Sequence, residues 1–185
     1  MRNTRRKSWD VRIFGRSRFH LGSILTILVW DNVYGFNMKC IREIAIREPL
    51  VDVVPYEAVV TNAFPFKNID LLTVKKEELS FTAQFDLVAK RGDYVHAFVA
   101  YFDTRFSQVP KPIKLPTGPD TKCTHWKQTV FYLEETIVVD EGEKITGTVT
   151  CKPNSRNPRD LDISISYDVQ SRHGKFNGTQ NYHMC

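Results

Sequence analysis

The sequence predicts a mainly β protein, an antiparallel barrel or sandwich with one short helix near its N-terminus. Three observations carry that prediction. Apolar and polar residues alternate from Leu79 to Ala89 and again from Leu161 to Val169, the period of a strand with one buried face. Turn-forming residues stand between apolar runs at Arg91-Gly92-Asp93, Glu141-Gly142-Glu143 and Pro153 to Pro158, as they do in all-β folds. A single stretch, Phe36 to Arg47, has helical spacing. The chain of 185 residues fits one domain on length alone.

Residues 1–23 form a basic leader, expected to be a disordered extension or, alternatively, an arginine-rich mitochondrial transit peptide. The net charge of +5 belongs to this end of the chain: residues 1–30 hold seven Lys/Arg and one Asp, whereas the remainder holds 19 Lys/Arg against 20 Asp/Glu. The body therefore gives no electrostatic case for nucleic acid, which requires a clustered basic face. Ile24 to Trp30 is an apolar run of seven residues, well short of the roughly 20 needed to span a bilayer, and its β-branched content favours a buried strand. No membrane association is expected.

Residues 24–48 combine this run with an amphipathic segment. Phe36, Cys40, Ile41, Ile44 and Ala45 fall on one helical face with Met38 beside them. Asn37 is the expected N-cap, and Pro49 stops the helix. Residues 49–185 are the predicted β domain. Tyr94 to Phe102 is apolar on both faces, as a central strand should be, and His96 within it is read as a satisfied core histidine. Residues 107–123, with Pro110, Pro112, Pro116, Gly118 and Pro119, read as a loop. Thr136 to Val139 and Ile145 to Cys151 read as a hairpin across Glu141-Gly142-Glu143, and a short last strand is expected to end near Tyr182.

The stretch of chemical interest is Thr124-His125-Trp126-Lys127-Gln128-Thr129-Val130-Phe131-Tyr132-Leu133. Three groups able to hydrogen-bond or stack open it, and an apolar run closes it. Spacing alone allows either a capped strand whose Trp covers the core or a loop presenting His and Trp to a polar or cationic substrate. This string resembles the "THW loop" of the type I protein arginine N-methyltransferases. Asn32-Val33-Tyr34-Gly35-Phe36 with Glu48-Pro49-Leu50-Val51-Asp52 resembles that family's dimerisation arm and the strand after it. Asp93-Tyr94-Val95-His96-Ala97 with Ala100-Tyr101-Phe102 resembles its central barrel strand, and Asn157-Pro158-Arg159-Asp160-Leu161-Asp162 resembles a late turn. The four occur in family order.

The resemblance implies a β-barrel with an arm carrying Tyr34, Phe36 and Met38 that meets a second subunit. It implies that Thr124, His125 and Trp126 shape the wall of an arginine pocket. Arginine-containing proteins are the implied substrates, S-adenosylmethionine the methyl donor of the complete enzyme, and a homodimer or a heterodimer with a full-length arginine methyltransferase the implied assembly. The cofactor half is not legible here. The 9 glycines form no Gly-x-Gly, and the residues before Trp30 leave no room for a Rossmann-type βαβ unit. No cofactor is therefore expected to bind this chain, and it is expected to be inactive alone. The alternative is a non-catalytic interaction module that pairs with a full-length methyltransferase or binds arginine-rich proteins.

No other enzyme signature competes. There is no His-Glu-x-x-His, no Gly-x-Ser-x-Gly and no P-loop. His20, His173 and His183 are isolated in sequence. Glu134-Glu135 read as solvated charges because neighbours in a strand point to opposite faces. The 4 cysteines form no Cys-x-x-Cys pair; they read as free thiols, so no metal is expected. A reducing compartment, cytoplasm or nucleus, is the expected location.

Overall fold

The computed structural model describes residues 5–15, 33–107 and 110–185. The expected strand over Ile24 to Trp30 lies outside the described residues. Every named strand pairing is antiparallel. The first sheet contains β1 (Arg5–Gly15), β2 (Leu50–Asp52), β3 (Phe64–Asp70), β5 (Asp93–Phe106), β6 (Ile113–Pro116) and β7 (Gln128–Val139), in the order β2-β7-β5-β1-β3 with β6 also on β5. The second contains β4 (Phe81–Val88), β8 (Lys144–Pro153), β9 (Leu161–Ser171) and β10 (Gly174–Met184), in the order β10-β9-β8-β4. One short helix, α1 (Lys39–Ala45), precedes β2.

The two sheets close into a barrel at two seams. At one, Thr61 bridges Ala89 and the Lys90 amide donates to Val60 O at 2.8 Å, with the Phe66 and Phe81 rings 6.1 Å apart. At the other, side chains replace a ladder. The Tyr182 hydroxyl donates to Tyr132 O at 2.8 Å, and the Glu134 amide donates to Gln180 Oε1 at 3.3 Å. Both Tyr182 and Gln180 are buried, so these bonds form where water competes poorly.

The double-sided burial expected of Tyr94 to Phe102 is present from Val95 onward, whereas Tyr94 itself is 52% exposed. Val95 and Phe98 of β5 face the barrel interior with Phe131, Leu133, Ile145, Ile165 and Tyr167. Ala97 and Val99 face a second cluster with Val130, Tyr132, Val54, Ala58 and Ile46. Val95 and Ala97 reach opposite faces because the β5–β7 register breaks between them: Val95 pairs with Ile137 but Ala97 with Tyr132. Residues 133–136 thus stand opposite His96 in a wide bulge, which puts Glu134 and Glu135 in solvent. β9 buries Ile163, Ile165, Tyr167 and Val169 as its alternation predicted. Gly147 of β8 is required by packing: a Cβ there would collide with Ser166 O and the Phe85 ring.

Several expectations need correction. The leader is not an extension over Arg5–Gly15; it is a strand paired with β5 from Arg5↔Phe106 to Gly15↔Val95 and with β3 from Arg6↔Asp70 to Val11↔Phe64. The sequence signal was the alternation of Trp9, Val11 and Ile13 with Ser8, Asp10 and Arg12, hidden by the arginines. The helix is shorter than expected, and Met38, not Asn37, takes its N-cap position with no side-chain cap bond. The proline-rich loop contains β6. β7 and β8 are not a hairpin. The turn between them pairs with the end of β4, Gly142 N donating to Ala89 O at 2.8 Å and Ala89 N to Glu143 O at 2.9 Å, so it carries the chain from one sheet to the other. The last strand is long, pairing with β9 from Gly174↔Ser171 to Met184↔Leu161.

Candidate functional site: the Thr117–Gln128 loop and the arm

β5 has two successive partners on one edge. β7 pairs as far as Ala100↔Thr129, and β6 takes over at Asp103↔Pro116. Between them the chain leaves the sheet at Thr117 and returns at Gln128. Thr117 spans the opening: its hydroxyl donates to Phe102 O at 2.6 Å and accepts from Phe102 N at 3.3 Å. Gly118 then passes so close to the Tyr101 ring that a Cβ would lie 2.8 Å from it.

His125 and Trp126 stand at the far end of this loop, both exposed. Trp126 is 52% exposed, so it does not seal the core as the capped-strand alternative required. Its ring meets Phe102 edge-on at 6.0 Å and His125 edge-on at 6.2 Å, a geometry aromatic quadrupoles favour. Thr124 is half-buried, and its carbonyl accepts from the Lys127 amide at 3.2 Å. Lys127 has φ 50°, the left-handed region that side chains avoid. Its ammonium lies 3.6 Å from Asp52 Oδ1 of β2, both groups well exposed, so that contact contributes little. Replacing Lys127 with Gly is therefore expected to stabilise the fold by up to about 1 kcal/mol, read as a higher denaturant midpoint at unchanged m-value.

Sequence reasoning missed the residues that hold this loop. Gln128 is 4% exposed. Its Oε1 accepts from Val54 N at 2.8 Å, and its Nε2 donates to Thr117 O at 2.7 Å. A polar residue opening an apolar strand was the only available signal, and its partners lie 74 and 11 positions away.

The arm begins with a tight turn. Val33 and Phe36 exchange both backbone bonds at 2.9 Å, and Tyr34 and Gly35 have φ 51° and 90°, the pattern of a type I′ turn. Tyr34 is 98% and Phe36 69% exposed, with Ile41 and Ile44 of α1 exposed behind them; Met38 is partly buried. Ile46, just past the helix, is buried in the second cluster, and Arg47 O accepts from His183 N at 3.0 Å. Helix and turn are thus anchored at one end and present an apolar face at the other. Such a face marks an interaction surface.

An open groove of about 600 Å³ lies beside this anchor, lined by Arg47, Thr150, Lys152, Asp162 and His183 among others. It holds none of the Thr124–Trp126 residues. At its rim the Asn154 amide, 2.9 Å from Asp162 Oδ1, and then the His183 ring at 3.2 Å hold the Asp162 carboxyl below its ordinary pKa. A carboxyl made more acidic by folding adds stability above its unfolded pKa and loses it as pH falls through the folded value. Acidification below about pH 4 is therefore expected to release Asn154 and loosen the β8–β9 turn, seen as faster exchange of the Asn154 side-chain amide. Among the described residues no group of three or more His, Cys, Asp or Glu is arranged to hold a metal, and no helix is long and apolar enough to cross a membrane.

A closed antiparallel barrel with an aromatic loop at a strand junction and an exposed arm defines an oligomerisation-type barrel module. The chain belongs to the arginine methyltransferase oligomerization subdomain family, whose model matches residues 23–172. It is 48% identical over 155 residues to protein arginine N-methyltransferase 1 of Chlamydomonas reinhardtii, covering 84% of this chain and 45% of the relative. Protein arginine N-methyltransferase 1.1 of Arabidopsis thaliana is equally similar, with 40% of its length covered. The chain thus spans less than half the length of these curated relatives. Among solved structures it resembles the Trypanosoma brucei PRMT1 enzyme-prozyme heterotetrameric complex with AdoHcy at TM-score 0.91 and 34% identity, covering 97% of this chain and 56% of that one. An open form of Arabidopsis thaliana protein arginine methyltransferase 10 shares the fold at TM-score 0.77 and 18% identity, covering 98% and 60%.

Proposed function

We propose that this chain is the barrel and dimerisation arm of a type I protein arginine N-methyltransferase. In this reading Tyr34, Phe36 and Met38 meet a second subunit, and His125 and Trp126 form part of the wall against which a substrate arginine is held. The observation that carries it is the family match over residues 23–172, which contains both the exposed arm turn and the Trp126 loop.

Methyl transfer to arginine needs a sulfonium donor and carboxylates that orient the guanidinium for attack. These residues do not fit the donor: there is no glycine-rich loop, and the one adjacent acidic pair on β7, Glu134 and Glu135, is splayed into solvent by the bulge opposite His96. The chain alone therefore binds no S-adenosylmethionine and transfers no methyl group. Isothermal titration of the isolated chain with S-adenosylmethionine tests this, no heat of binding being expected; saturable heat would overturn it.

A second reading, a non-catalytic subunit that pairs with a full-length methyltransferase, is supported by the high similarity to the enzyme-prozyme complex. Both readings expect the chain to co-elute with an arginine methyltransferase through the arm, and Tyr34→Ala with Phe36→Ala to abolish co-elution. The second also expects the added chain to change the rate at which the full-length enzyme methylates an arginine-rich peptide.

A further inference from the structure

The loop from Thr117 to Gln128 has a neck. Its two ends are held together by Gln128 Nε2 donating to Thr117 O at 2.7 Å. One end is pinned to β5 by the Thr117 hydroxyl on Phe102. The other is tied to the segment after β2 by Val54 N donating to Gln128 Oε1 at 2.8 Å. The Gln128 side chain is buried, so neither of its bonds is readily exchanged for water, and breaking either strands a desolvated group. The left-handed backbone at Lys127 comes immediately before Gln128. A non-glycine residue keeps that conformation only where its surroundings over-determine it. Trp126 is two residues from the neck, and its ring rests on Phe102, the residue whose backbone Thr117 holds.

We propose that Gln128 is a positioning residue: by bridging Thr117 and Val54 it closes the loop neck and fixes Trp126 and His125 for the substrate arginine. The assignment rests on the reading of Trp126 as part of an arginine pocket, but its mechanical half does not. Gln128→Glu keeps an acceptor for Val54 and sets an oxygen against Thr117 O. Gln128→Met keeps the volume and removes both bonds.

The test labels the full chain with 5-fluorotryptophan. Trp9, Trp30 and Trp126 give the fluorine resonances, and Trp126→Phe identifies the third. In Gln128→Glu and Gln128→Met the Trp126 resonance is expected to shift or broaden while the cooperative melt is retained; an unmoved Trp126 resonance, or a melt lost in both variants, overturns the proposal. Amide exchange on the unsubstituted chain is a check that needs no variant. Val54 N–H and Lys127 N–H should exchange through one shared opening at matching rates, and Val54 should exchange about five- to tenfold faster in Gln128→Glu, the factor that loss of one buried hydrogen bond implies. Unlinked rates in the unsubstituted chain also overturn the proposal. Failure of an arginine peptide to perturb Trp126 in the chain paired with a full-length methyltransferase would sink the pocket reading and leave the neck intact.

Discussion

Deletion of residues 1–15 is expected to abolish cooperative folding. β1 is a central strand, hydrogen-bonded to β5 along its whole length and to β3 along half of it. Removing it strips two ladders at once and turns β3 and one side of β5 into open edges, which invite intermolecular pairing. Each lost ladder bond is worth about 0.5–1.5 kcal/mol net, and a domain has only about 5–15 kcal/mol in total. The truncated chain should be found in the insoluble fraction, with no sigmoidal melt by circular dichroism from any soluble remainder. Val11→Pro asks the same question with one atom group: Val11 pairs with both Phe64 and Ala100, and proline inside a sheet removes a donor and costs about 3 kcal/mol or more. A soluble, cooperatively melting deletion variant would show that the barrel closes without its first strand.

Phe98→Ala is expected to be the most damaging single substitution in the interior. Phe98 is fully buried, its ring edge-on to Phe85 at 5.5 Å and tilted against Tyr167 at 5.9 Å. It therefore joins β5 of one sheet to β4 and β9 of the other. Truncation leaves a cavity that rigid strands on both sides cannot fill, at a cost of about 3–5 kcal/mol. For a domain of this size that corresponds to a melting temperature lower by roughly 6–20 °C. The denaturant m-value should hold, because the surface exposed on unfolding is almost unchanged. A shift of only a degree or two would mean that Phe85 and Tyr167 collapse into the space.

The fold class was legible because two-sided burial and clean alternation are local signals. Tyr94 to Phe102 and Leu161 to Val169 each announce their environment without reference to distant residues. The hairpin expected between β7 and β8 was wrong for the complementary reason. Which strand a turn pairs with depends on Ala89, some fifty residues earlier, and nothing in Glu141-Gly142-Glu143 encodes that. β1 was lost to its charges: seven Lys/Arg in the first 30 residues outweighed a short alternation. At the loop, His125 and Trp126 were legible through a string resemblance, whereas Thr117 and Gln128 were not. Their importance comes from being brought together by the gap between β6 and β7, a property of the closed sheet alone.

The placement of β1 also bears on how the protein is made. Its partners are residues 64–70 and 93–106, so β1 leaves the ribosome before either strand it pairs with and must wait for a mate. At roughly 5–20 residues per second that wait lasts roughly 5–20 s. Throughout it, a basic strand with unsatisfied backbone groups is on offer to any nearby edge. This part of the nascent chain is thus most exposed to misassembly before Phe106 emerges, and a chaperone that shields β1 would act at the step where yield is decided.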